Sequence, residues 1–200
     1  MGLFSFFGSK SPEEVYSSIA KSIVVSALLY SKELGAENNK HAADAGAEVV
    51  YFLLHILDRA AFATLGSEKR STVFSEVSEI ALDDYTKATL SSAPIELQLK
   101  IKTHMLQTLD VRQNIYGQCE SLAGKLAERG TMVFAFSFYV HRAMELTQRN
   151  DVDEILVGNQ DVTISDGDTF PDFSTNLHNA AWIGNVIKEL EFEKDLKYLK

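Results

Sequence analysis

Val49-Val50-Tyr51-Phe52-Leu53-Leu54-His55-Ile56-Leu57-Asp58-Arg59-Ala60-Ala61-Phe62 is apolar at nearly every position, interrupted only by His55, Asp58 and Arg59. A helix of this composition has no polar face to turn to water, so it has to be enclosed by other helices. The pattern places it inside a helix that begins near Asn39, runs to Leu65 and stops at Gly66. Met132 to Leu146 repeats the all-round apolar character. These two segments are the expected buried centre of an all-α protein.

Amphipathic segments flank that centre on both sides. Ser11-Pro12-Glu13-Glu14 has the order of a capping box with proline in the first turn. Val15, Ile19, Ile23, Ala27, Tyr30 and Leu34 then recur at helical spacing until Gly35. Ser67 is the expected cap of a third helix with Val73, Phe74, Val77, Ile80, Ala81 and Tyr85 on one face. Pro94 opens a fourth, with Leu97, Ile101, His104, Thr108, Val111 and Ile115 as its inner stripe, closed by Gly117. A fifth is expected from Gln118 to Gln148, bent or broken at Gly130, because glycine costs ~1 kcal/mol inside a helix. Ser174 caps a last helix whose stripe continues through Leu196 and Leu199. The expected fold is a single-domain antiparallel bundle of five to six helices over residues 11–200, preceded by a short apolar segment, 1–10. Residues 150–173 read as one acidic loop, with Ile155-Leu156-Val157 and Val162-Thr163-Ile164 flanking a turn as a small hairpin.

The 200 residues include 28 acidic and 19 basic side chains, a formal charge of -9. That balance argues against nucleic acid as a partner, since phosphate backbones are bound by excess Lys and Arg. Seven of the acidic groups lie in residues 150–173, which hold no Lys or Arg, so the helical remainder sets 21 against 19. The acidity belongs largely to one segment, which reads as a solvated loop or a docking surface for a basic partner. Cys119 is the only cysteine, which excludes an intramolecular disulfide and a cysteine-based zinc site. No signal-peptide pattern opens the chain, and the longest apolar runs fall short of the ~20 residues of a membrane span. The expected location is cytoplasmic, with no transmembrane segment.

Two polar clusters interrupt the two apolar helices: His55, Asp58 and Arg59 in one, His141, Arg142 and Glu145 in the other. Buried ionisable groups require partners, because an isolated buried charge costs several kcal/mol. Antiparallel packing would let Asp58 meet Arg142 and Glu145 meet Arg59, a structural ion-pair network. The same residues allow two functional assignments. His55, Arg59, His141 and Arg142 form a candidate site for a small anionic ligand. His55, Asp58, His141 and Glu145 form a candidate divalent-metal set, although Glu-x-x-His, the order of di-metal bundles, is reversed in the first cluster. No nucleophile elbow, P-loop, dinucleotide fingerprint or His-Glu-x-x-His occurs, so no catalytic residue is assigned and no cofactor is implied. Cys119 is expected as a half-buried structural thiol at a helix start, His104 at the core edge, and His41 and His178 at the surface. Asp161, Asp166 and Asp168 lack the spacing of an EF-hand loop.

The sequence therefore supports three functional readings. The first is a non-enzymatic soluble interaction or adaptor protein, engaging a partner through Leu3, Phe4, Phe6 and Phe7 or through the acidic segment 150–173. The second is a helical bundle that binds a small anion at the His55/Arg59/His141/Arg142 cluster. The third is a metal-dependent enzyme with His and carboxylate ligands between the two central helices. The apolar stripe of the last helix is also suited to a homodimer contact.

Overall fold

The computed structural model describes residues 10–35, 41–119, 130–145 and 173–200, with the side chains of Glu145, Phe173, Ser174 and Asn176 outside the description. Those residues form an all-α bundle without strands: α1 (Pro12–Glu33), α2 (His41–Thr89), α3 (Ile95–Gln118), α4 (Met132–Glu145), α5 (Phe173–Leu190) and the short α6 (Phe192–Leu196), which ends in a 3-10 turn over Lys197–Leu199. The expected hairpin, the apolar N-terminal segment and the acidic residues of 150–173 lie outside the described residues.

α1 starts as its sequence requires. Ser11 is extended, the Glu14 amide donates to its hydroxyl at 3.3 Å, and its own amide donates to the Glu14 carboxylate at 2.8 Å. Both otherwise orphaned donors are thus satisfied. Gly35, at φ 86°, takes the left-handed conformation just past the end. The expected stripe from Val15 to Tyr30 is buried, mostly against α2.

The expected second and third helices are two arms of α2, divided at Gly66, where φ is 80° and ψ is -180°. Glycine reaches that conformation without the steric cost a side chain would bring. The arms then run back along each other. The Tyr85 hydroxyl donates to the Ala43 carbonyl at 2.6 Å, and Arg70 Nε donates to Asp58 Oδ1 at 2.6 Å. Were α2 straight, Ala43 and Tyr85 would stand about 60 Å apart, at 1.5 Å per residue. By length and composition α2 is the one described helix apolar enough to cross a membrane. Here Val49, Val50, Phe52, Leu53, Leu54 and Leu57 are fully enclosed by protein.

Three expectations at the helix ends are corrected. Gln118 is the last residue of α3 and Cys119 leaves it in an extended conformation, so the fifth helix does not start there. Residues 120–129 lie outside the described residues; α4 begins after Gly130 (φ 98°), and the Phe134 amide donates to the Thr131 hydroxyl at 3.2 Å, as to an N-cap. Ser174 lies inside α5 rather than capping it. The last helix also does not continue unbroken. Glu191 adopts a left-handed conformation, φ 42°, and the turn it makes sends Phe192 and Leu196 into the core.

Among the described glycines, Gly46 makes the closest approach to neighbouring side chains. A Cβ there would collide with Ser31 Oγ and the Tyr85 hydroxyl and sit 3.1 Å from the Ala27 carbonyl oxygen, so α1 and both arms of α2 converge on this point. Gly46→Ala is expected to lower stability by about 1–3 kcal/mol through overpacking. Gly184→Ala in α5, where a Cβ meets nothing within 4 Å, is expected to be neutral or stabilising by up to about 1 kcal/mol. Urea unfolding of the two variants beside the parent checks the contrast.

Candidate functional site

The two polar clusters separate because of helix register. α2 and α4 meet at Phe52 and Phe136, whose ring centroids are 5.0 Å apart. Tyr139, further along α4, covers the Arg112 guanidinium at 3.5 Å, and Arg112 pairs with Glu48, earlier in α2. The helices are therefore antiparallel, but His55 and His141 lie on opposite sides of the Phe52–Phe136 contact. At 1.5 Å per residue that offsets them by about 12 Å along the axis.

Each member of the first cluster finds a partner or solvent elsewhere. His55 Nδ1 lies 2.7 Å from Gln113 Oε1, and burial lowers the pKa of the ring, favouring the neutral imidazole. Since Gln113 Oε1 can only accept, the proton sits on Nδ1 and Nε2 is a buried acceptor without a hydrogen-bond partner. Asp58 binds Arg70 through both oxygens, not Arg142, because the reversal at Gly66 returns Arg70 to its side. Arg59 faces solvent, and Arg142 is half-buried. The Glu145 side chain lies outside the description, and so does its expected pairing with Arg59. His55, Asp58 and His141 do not converge. Among the described residues no three His, Cys, Asp or Glu side chains form a group that could hold a metal ion.

The charged centre of the bundle is one the sequence reading missed. Arg112 is fully buried and donates from Nε and Nη2 to the two oxygens of Glu48, each at 2.7 Å. Burial works against the charge on Arg112, but the adjacent Glu48 carboxylate outweighs it and holds the guanidinium protonated. Tyr116 and Tyr51 have their hydroxyl pKa raised by burial and then by Glu48, so they stay neutral. The pair also rotates α3 from its expected orientation. The fully buried side chains are Met105, Thr108, Leu109, Arg112 and Tyr116, while Ile101, His104, Val111 and Ile115 are half-buried and Leu97 is exposed. The available signal was Arg112 recurring in step with Met105, Leu109 and Tyr116, together with Glu48 between Ala45 and Phe52. His41 is likewise buried, not exposed, with Asp44 3.6 Å away. Cys119 ends a helix instead of starting one, and burial raises its thiol pKa.

His141 belongs to a different place, a cavity of about 340 Å³ between α1, α4 and α5. From α1 come Tyr30 and Leu34, and from α4 Val140, His141 and Met144. Thr175, His178 and Asn179 of α5 complete the described wall. The Tyr30 hydroxyl, its pKa raised by burial and by Glu33, donates to Asn179 Oδ1 at 2.8 Å, while its ring rests on Trp182 at 4.5 Å. That bond orients the amide and leaves Asn179 Nδ2 as the free end. Asn179 is only 2% exposed, and its Nδ2 has no hydrogen-bond partner. A buried donor left unpaired costs about 1–3 kcal/mol. His178 is exposed, as its position in the sequence implied, yet it stands at the rim of this cavity. His55, Arg59 and Arg142 are absent from the described wall.

The lowered pKa of His55 has a signed consequence. The unfolded ring takes up a proton near pH 6.5 while the folded ring resists it, so this contribution to stability is present above ~6.5 and fades as pH falls below it. His104, lowered by burial alone, acts in the same direction. Urea unfolding at pH 7.5 and pH 5 should show the parent losing stability, and His55→Gln losing less of it over the same interval. An unchanged interval in the variant contradicts the assignment.

Compared with protein-family models, with curated proteins and with solved structures, the chain matches none.

Proposed function

We propose that this protein binds a small molecule in the cavity between α1, α4 and α5. The observation that carries the reading is the unpartnered Nδ2 of the buried Asn179 in the cavity wall. Native proteins seldom leave such a group unsatisfied, and its usual partner is an ordered water or a ligand. Leu34, Val140 and Met144 supply an apolar surface beside it, and His141, His178 and Thr175 add polar groups. A few convergent polar groups on an apolar wall are the usual composition of a ligand site, and 340 Å³ falls at the small end of the common range of roughly 300–1,000 Å³.

This is the second of the sequence readings, moved from one set of residues to another. His141 is retained, while Tyr30, Asn179 and His178 replace His55, Arg59 and Arg142. The adaptor reading depends on Leu3, Phe4, Phe6, Phe7 and the acidic segment, which lie outside the described residues.

A fragment screen by ligand-observed NMR, with His178→Trp as the blocked control, tests the proposal. His178 is exposed at the rim, so the indole closes the cavity without entering the core. The expected result is a set of hits that raise the melting temperature of the parent and are lost in the variant, whose own melting temperature is unchanged. Hits that survive in His178→Trp, or no hits at all, contradict the reading.

A further inference from the structure

We propose that a second cavity, of about 470 Å³ between α2, α5 and α6, is the docking site of the chain's own N-terminal segment, with Phe4 and Phe6 seated in it. Ile56 and Ala60 of α2, Ile187 of α5 and Phe192 of α6 give it an apolar floor. It lies at the corner where the left-handed Glu191 turns the chain from α5 into α6. The exposed, charged Lys194 and Lys197 stand beside that floor. An apolar floor within a polar rim is the anatomy of a contact surface. Where the chain enters the bundle indicates the occupant. Lys10, the first described residue, is tied to the same short helix: its Nζ lies 3.8 Å from Asp195 Oδ1 and 5.2 Å from the centre of the Tyr198 ring. Asp195 and Tyr198 share one side of α6 and its terminal turn, while Lys194 and Lys197, at the cavity, share the adjacent side. A helix with its side chains is only about 10–12 Å across. Extended chain covers about 3.3–3.6 Å per residue, so Phe6 reaches roughly 14 Å from Lys10 and Phe4 roughly 20 Å. In an extended run these two side chains project to the same side, and Gly2 to Ser9 carry no charged side chain into the apolar floor. A short tether holds the segment at an effective concentration on the order of mM, enough to fill even a weak site. The apolar residues that the adaptor reading assigns to a partner are thereby engaged by the bundle itself, and are released only when a competitor takes the cavity.

NMR of the ¹⁵N-labelled full chain, compared with the full-chain variant Phe4→Ser/Phe6→Ser, tests the proposal. The backbone amides of Ile187, Lys194 and Lys197 are expected to differ in position between the two, by an amount that dilution does not change. A synthetic peptide of residues 1–10, added to the variant, should return those resonances toward their positions in the parent. The parent, its cavity already filled, should bind the peptide at least about tenfold more weakly. Identical positions in parent and variant overturn the proposal. So does a difference that fades on dilution, because the segment then occupies a second copy of the chain. A peptide that binds both proteins equally, or neither, overturns it as well. Should the variant not fold, Ala60→Phe reads the same point from the cavity side, since the added ring fills the floor from a half-buried position. The Ser5 and Phe6 amides should be displaced from those of the free peptide in the parent and coincide with them in Ala60→Phe. Coincidence in the parent, or displacement that persists in Ala60→Phe, contradicts the assignment.

Discussion

Arg112 and Glu48 are held out of water at the point where three helices meet, and the bundle has to be assembled around them. Taking two charges into a protein interior is costly, and the cost is recovered only when the geometry is good and the remaining polar atoms are satisfied. Here both guanidinium–carboxylate contacts are 2.7 Å, and the flat face of the guanidinium lies 3.5 Å from the Tyr139 ring. Glu48 belongs to α2, Arg112 to α3 and Tyr139 to α4. A shift of any one helix by a turn, about 5.4 Å, would separate the charges or uncover the ring. Apolar contacts alone tolerate such slips far better, because one leucine packs much like another.

The position of the cavity follows from that register. With Tyr139 committed to Arg112, its neighbours Val140 and His141 lie at the edge of the cavity shared with α1 and α5. α1 is fixed independently: Gly46 admits Ala27, Ser31 and Tyr85 so closely that no side chain fits between them. Tyr30, one turn beyond Ala27, is thereby set against Asn179 and Trp182.

Much of this architecture was legible in the sequence. The capping box at Ser11, the stop at Gly35, the reversal at Gly66 and the enclosure of Val49, Val50, Phe52, Leu53, Leu54 and Leu57 all follow from local chemistry and periodicity. What escaped were choices made between helices. The stripe chosen for α3 was the apolar one, whereas the observed face includes Arg112, because a buried acid on α2 made an arginine admissible there. His55 and His141 looked like neighbours because both interrupt apolar helices, and only the Phe52–Phe136 register separates them. Asn179 carries no signal at all in the sequence. Its significance depends on Tyr30, far away in the chain, having taken one end of its amide. The break at Glu191 was equally hidden, since a left-handed glutamate has no sequence signature and exists because it lets Phe192 and Leu196 reach the core.

The most direct test of the central role of the buried pair is a double-mutant cycle, with Glu48→Gln, Arg112→Met and the double variant compared by urea unfolding. Each single variant leaves one polar partner stranded in the interior and is expected to lose about 3–5 kcal/mol. The double variant removes both charges and should lose well under the sum, a coupling of at least about 2 kcal/mol. Single variants that lose under about 0.5 kcal/mol, or losses that simply add, would show that the register of α2, α3 and α4 does not depend on this pair.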